Sequence, residues 1–233
     1  VARRRAAFVV CRPGYKDGTD AIDAVLTMLA AVKAGVDLQP VAADIRVSWS
    51  LDHATDERLK DHRRLLSEAA RLCSGVVSID SVNAADFDGV VLPGGEGYLN
   101  VYTNFRTTGV ACKVEPSLGE FLVDAHGRGV PIASVGVSGL LVVRAVGSTG
   151  EVAPSLTVGP DAEVAGAVER LGAVHVSVRP EEAVVDEVNR LVSTAGSASE
   201  ASLEEVYSGI TSMINGMIEI GSTIPAPVRE ETR

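Results

Sequence analysis

The chain of 233 residues is 46% hydrophobic and 22% charged, which supplies a core for one or at most two packed domains and excludes disorder as the overall state. Its 31 acidic against 21 basic side chains leave a net charge of -10, so no general attraction to nucleic acid is expected. Cys11, Cys73 and Cys112 are odd in number and lack a Cys-x-x-Cys pair. That pattern fits neither a disulfide framework nor a zinc cage, so reduced thiols, no metal and no cofactor are expected.

No stretch reaches the roughly 18 uninterrupted apolar residues of a membrane helix, and no membrane span is expected. The start, Val1-Ala2-Arg3-Arg4-Arg5, reads as a processed or trimmed end. A removed organelle-import peptide is one expected cause.

Ala6 to Cys11 is a short, continuous apolar run of the kind found in a strand buried on both faces. A turn-rich segment, Arg12 to Gly18, leads to Thr19 as the expected N-cap of a helix whose Ile22, Val25, Leu26, Leu29 and Val32 recur at helical spacing up to Gly35. An extended piece near Leu38 to Ala42 and a polar excursion holding Trp49 and His53 follow. A helix through Leu65, Leu66, Ala69 and Leu72 is expected to end near Gly75. The strand Phe87 to Leu92 then opens onto Pro93-Gly94-Gly95-Glu96-Gly97, at the strand end where open α/β sheets bind ligands.

A helix from Glu115 to His126 precedes the strand Pro131 to Val135. Gly136-Val137-Ser138-Gly139 then turns into the helical run Leu140 to Val146, the strand, sharp turn, helix order of a nucleophile elbow. The last third continues the alternation, with strand Leu156 to Val158, helix Asp161 to Leu171 and strand Val174 to Val178. A hairpin turning at Asn189-Arg190 and a helix from Glu200 to about Ile220 complete it. Strands alternating with helices predict an α/β flavodoxin-like three-layer sandwich around a mostly parallel sheet. Residues 1–220 form the expected single domain and 221–233 a tail.

Several residues could carry chemistry. The backbone of Gly94, Gly95 and Gly97 could bind an anion or form an oxyanion hole, with a plain tight turn as the alternative. The sequence from Gly136 falls one residue short of Gly-x-Ser-x-Gly, and the apex of the turn is Gly136, which has no side chain. Ser138 would need a histidine base, and none of His53, His62, His126 and His175 is placed to serve; structural or surface roles are expected for all four. Asp17, Asp20 and Asp23 gather at the start of the first helix. Capping is their default role, and acid or base chemistry the functional one. Cys11 and Cys73 read as packing, leaving Cys112 as the thiol to test.

The segments Tyr15 to Thr27, Leu66 to Leu72, Val91 to Gly97, Ala111 to Val114, Leu156 to Gly159 and Val184 to Thr194 resemble, in the same order, the ElbB-type proteins. These are bacterial isoprenoid-biosynthesis or glyoxalase-like proteins with mitochondrial relatives, within the PfpI and Parkinson-protein deglycase superfamily of class I glutamine amidotransferase-like folds. The resemblance implies a cysteine at the elbow, a carboxylate from the first helix beside it, an oxyanion pocket from the glycine loop, and thiolate addition to a small aldehyde such as methylglyoxal. It also implies mitochondrial residence, on the matrix side, rather than cytoplasmic.

The elbow cysteine of the family falls on Gly136, and its following Ala-Pro pair on Ser138-Gly139. Asp20 and Asp23 stand for glutamates, Glu96 for an apolar residue, and Asn100-Val101 for a Lys-Asn pair. A carboxylate beside an oxyanion pocket opposes the charge to be stabilised. Gly94, Gly95 and Arg63 are retained. The expected reading is a pseudoenzyme with a vestigial pocket of Gly136, Asp20, Asp23, Gly94, Gly95, Glu96 and Ser138, serving as an accessory subunit among other protein subunits, with pairing into a homodimer left open. Two alternatives remain: a glyoxalase-type enzyme using Ser138 or Cys112, and a small-molecule-binding protein whose pocket lies between Asp23, Glu96 and Gly136.

Overall fold

The computed structural model describes residues 3–147 and 153–222. Seven strands build the central sheet: β1 (Arg4–Val9), β2 (Val36–Ala42), β3 (Val77–Ser78), β4 (Gly89–Leu92), β5 (Ile132–Val135), β6 (Ala183–Asp186) and β7 (Leu191–Thr194). Their spatial order is β6-β7-β5-β4-β1-β2-β3. Every pairing is parallel except β6 with β7, the expected hairpin. Its turn uses Arg190 in the left-handed region, at φ 57°.

The continuous apolar run of β1 is explained by burial on both faces. Ala6, Phe8 and Val10 point into one layer with α1 (Ala21–Lys33) and the C-terminal helix, while Ala7, Val9 and Cys11 point into the other with α2 (Pro116–Gly127) and α3 (Ser138–Val146). This alternation is the period of two of a strand clamped between helix layers. A third apolar cluster joins Leu140 and Val143 of α3 to Val164, Ala167 and Val168 of α4 (Ala162–Arg170). The expected sandwich with a mostly parallel sheet is the fold observed.

Four local expectations need correction. Thr19 does not cap α1: its hydroxyl turns inward to accept from the Cys11 N–H at 2.8 Å and pairs with the Tyr98 hydroxyl at 3.2 Å. The cap is Asp20, which accepts from the Ile22 and Asp23 N–H groups. The helix expected through Leu72 spans only Leu65–Ala69, and turns carry the chain to Gly75, at φ 73°. Val174 to Val178 does not enter the central sheet: Val174–His175 pairs with Ser155–Leu156 in a separate parallel ladder. The C-terminal helix, α5, runs from Leu203 to Ser222. Gly221 and Ser222 are therefore its last residues, and the rest of the expected tail, like Val1 and Ala2, lies outside the described residues.

The polar excursion folds back as two antiparallel ladders, Arg46–Val47 with Arg63–Arg64 and Ser50–Leu51 with Arg58–Leu59. Trp49 lies between two guanidinium groups, Arg12 at 4.7 Å and Arg58 at 4.3 Å from the ring centre. Stacking of this kind holds the flap to the turn after β1.

Candidate functional site

The C-terminal ends of β1, β4 and β5 converge where the glycine loop, the start of α1 and the turn after β5 meet. That turn has the sharp geometry of an elbow. Gly136 adopts φ 56°, its N–H donates to Thr194 O at 2.8 Å, and its carbonyl accepts from the Gly139 N–H at 3.1 Å. A Cβ built there would meet one neighbour within 4 Å, Ala195 O at 3.1 Å. The turn is sharp, its backbone favours glycine and a Cβ would press on a carbonyl oxygen, and Gly136 offers no nucleophile.

Ser138 does not replace it. Its side chain is fully buried, with Oγ donating toward Val135 O at 2.9 Å and Leu92 O at 3.2 Å and accepting from the Val135 N–H at 3.2 Å. The hydroxyl ties the end of β5 to the end of β4 and to the first turn of α3. Cys112 is not an accessible loop thiol either. It is buried in the third apolar cluster, and that burial pushes its thiol upward. Cys11 is fully buried and its thiol is pushed to about 12, again chiefly by burial.

The carboxylates divide into different roles. Asp20 caps α1. Asp23 is buried over the glycine loop and accepts from the Ser197 N–H at 2.8 Å. A Cβ on Gly94 would fall inside the van der Waals surface of its Oδ2, and one on Gly196 would lie 3.0 Å from the same oxygen. Burial, with Asp20 adding like-charge repulsion, raises Asp23 to about 7. Its carboxylate lies against Gly94 and Gly196 and does not come within 4 Å of a Cβ at Gly136.

The glycine loop is less open as an anion site than its sequence suggested. The Glu96 N–H donates to Tyr15 O at 2.7 Å and the Gly97 N–H to Gly18 O at 2.9 Å, while Asp20 N–H donates to Gly94 O at 2.8 Å. Gly95, at φ 123°, and Gly97 pack so tightly on the segment from Gly18 to Asp20 that no side chain fits at either. The Glu96 carboxylate accepts a bidentate pair from Arg106 at 2.8 and 2.9 Å. Arg106 also holds Asp161 at 3.1 Å and Glu163 at 2.5 Å. Glu96 therefore anchors the loop to the start of α4, with its charge compensated there.

A second polar node was missed at the sequence level. Asp17 does not cap; it is buried with Arg12, whose Nη2 lies 3.0 Å from Asp17 Oδ2 and whose Nε donates to Asp17 O at 2.8 Å. Asp17 also accepts from the Leu51 N–H at 2.8 Å and contacts His53 Nε2 at 2.9 Å. These residues wall a cavity of about 160 Å³ together with Ser50, Arg63 and Glu68. Arg63 belongs to this cavity, with ion pairs to Asp61 and, at 3.2 Å, to Glu68. Neither Gly136 nor Asp23 lines it. The signal available was Arg12 itself, a charged side chain directly after a fully apolar strand.

Among the remaining histidines, His126 contacts Asn189 O at 3.0 Å and His62 is exposed. The Nε2 of His175 is buried with no hydrogen-bond partner among the described residues. No group of three or more His, Cys, Asp or Glu side chains among the described residues could hold a metal ion.

No protein-family model matches the chain. The rat "ES1 protein homolog, mitochondrial" is 28% identical over 229 residues, covering 94% of this chain and 84% of that protein. The human "Glutamine amidotransferase-like class 1 domain-containing protein 3, mitochondrial" is 27% identical over 227 residues, covering 93% and 83%. Over more than nine-tenths of its length the chain is similar to mitochondrial ES1 proteins. Among solved structures, the isoprenoid biosynthesis protein with amidotransferase-like domain from Ehrlichia chaffeensis superposes with a TM-score of 0.85 at 27% identity, covering 93% of this chain and 99% of that one. Drosophila melanogaster DJ-1beta, at 16% identity and a TM-score of 0.54, shares the fold. The resemblance carried by the ordered segments thus holds, as does the amidotransferase-like sandwich it implied.

Proposed function

We propose that this chain is a catalytically dead mitochondrial protein, acting as an accessory subunit that binds other protein subunits on the matrix side. The observation that carries the reading is Gly136: the elbow backbone is retained at φ 56°, and the residue at its apex has no side chain. Burial of Ser138 and Cys112 adds support, because neither hydroxyl nor thiol is available to take over. A fold retained without its nucleophile keeps its value as a surface, and function is argued from what remains accessible. The mitochondrial names of the relatives support the compartment.

The test is the native size of the protein in a gently solubilised mitochondrial extract of its source, followed by immunoblot. Migration with an assembly of several hundred kilodaltons is expected. Migration at the size of one or two chains would remove the subunit role.

One observation favours a second reading, in which the vestigial pocket binds a small molecule: Asp23 is a carboxyl buried against Gly94 of the glycine loop and raised to about 7. Binding there would raise the melting temperature in a screen of small carbonyl compounds and carboxylic acids. No rise for any of them would eliminate it.

A further inference from the structure

The cavity of about 160 Å³ beneath the flap is walled largely by charged side chains and stands apart from Gly136 and Asp23. Arg12 is its most buried cation. Only 3% exposed, it donates from Nε to Asp17 O and from Nη1 to Trp49 O at 2.6 Å. Its Nη2 forms an ion pair with Asp17 Oδ2 at 3.0 Å but is not aligned for a hydrogen bond, and it has no acceptor among the described residues. A buried donor in that state destabilises the fold unless something in the cavity accepts from it.

Other walls have the same property, in both signs. Arg63 donates from Nε to Asp61 and from Nη1 to Glu68 at 3.2 Å, which leaves Nη2 without an acceptor among the described residues. Glu68 Oε1 has no donor within hydrogen-bond reach among them, Arg71 Nη1 standing 3.9 Å away. Asp52 accepts from the Ala54 N–H through Oδ1 alone.

We propose that this cavity binds a small zwitterion, an α-amino acid with a short side chain, its carboxylate toward the Arg12 and Arg63 guanidinium groups and its ammonium toward Glu68 and Asp52. Charge selects the class. Two guanidinium groups and the three carboxylates of Asp17, Asp52 and Glu68 line the cavity, and His53 Nε2 is taken up by Asp17. A net anion would set another negative charge against those carboxylates, and a net cation would leave both guanidinium nitrogens unanswered. A ligand with one charge of each sign satisfies both kinds of group. Size selects the side chain. A cavity of about 150 Å³ holds benzene, so about six or seven heavy atoms fit, as in alanine or serine. Pro13, Leu51 and Leu59 supply apolar wall.

Trp49 is the one tryptophan of the chain, and its ring lies against Arg12, so its emission reads the state of that guanidinium. The experiment titrates alanine and serine into the purified chain and follows Trp49 emission and the melting temperature, with acetate, methylamine and glycerol as controls. A saturable change in emission and a rise in melting temperature are expected for the amino acids and not for the controls. No rise with either amino acid at millimolar concentration, or an equal rise with any control, would overturn the proposal. Glu68→Gln and Arg63→Gln, each checked for folding by circular dichroism, should weaken alanine binding about tenfold or more. Wild-type affinity in either folded variant would overturn the assignment, and wild-type affinity in both would move the ligand to the elbow.

Discussion

Asp23 occupies the space in which a side chain at Gly94 would begin. The carboxylate of the first helix is thereby locked against the strand-end loop, with the Ser197 N–H fixing its other oxygen at 2.8 Å. Gly94→Ala should cost about 1 to 3 kcal/mol, as overpacking against a buried group does. Asp23→Ala should recover much of that loss in the double variant, giving a clear coupling energy in a urea-denaturation cycle. Additive costs would mean that the two residues do not share this space.

The raised position of Asp23 makes a signed statement about pH. Its folded value, about 7, lies above the ordinary 3.8, so the folded state holds the proton more tightly than the unfolded one. Relative to an uncharged side chain, stability is fully present below pH 3.8 and is lost as pH rises toward 7. Asp23→Asn keeps an acceptor for Ser197 and removes the charge. Its stability should match the wild type near pH 4 and exceed it at pH 8, by up to about 4 kcal/mol if the whole shift is expressed. Chemical denaturation across that range checks the sign, and a difference that does not grow with pH would refute it.

Asp17 and Arg12 make a buried pair that also holds the flap through Leu51, Trp49 and His53. Asp17→Ala leaves the Arg12 guanidinium uncompensated, and about 3 to 5 kcal/mol of destabilisation is expected. His53→Ala, at the rim of the cavity, should cost far less. Hydrogen exchange in residues 46–64 should rise in the first variant. Unchanged protection there would show that the pair does not organise the flap.

Strands buried on both faces were legible because an unbroken apolar run, as at Ala6 to Cys11, has few other solutions, and the elbow was legible because its glycines follow a strand and precede a helix. The cap was misplaced because Thr19 and Asp20 are equally good cap residues. Only the distant Tyr98 and the Cys11 N–H decide that the threonine turns inward. That Ile22, Val25, Leu29 and Val32 face outward was not legible, because helical periodicity gives a face without saying what covers it. The Arg12–Asp17–His53 node joins residues up to 41 positions apart by a flap whose two-residue strands carry no pattern. The fate of Glu96 depends on Arg106, whose partners Asp161 and Glu163 come from a helix far along the chain.

The central claim is that the elbow lost its chemistry and kept its shape. Its most direct test is methylglyoxal consumption by the wild-type chain, by Gly136→Cys, and by Ser138→Ala and Cys112→Ala. The account predicts background consumption by the wild type and by both alanine variants. In Gly136→Cys it predicts a protein that keeps the circular dichroism spectrum of the wild type, the elbow backbone being retained. Turnover by the wild type that Ser138→Ala or Cys112→Ala abolishes would contradict it.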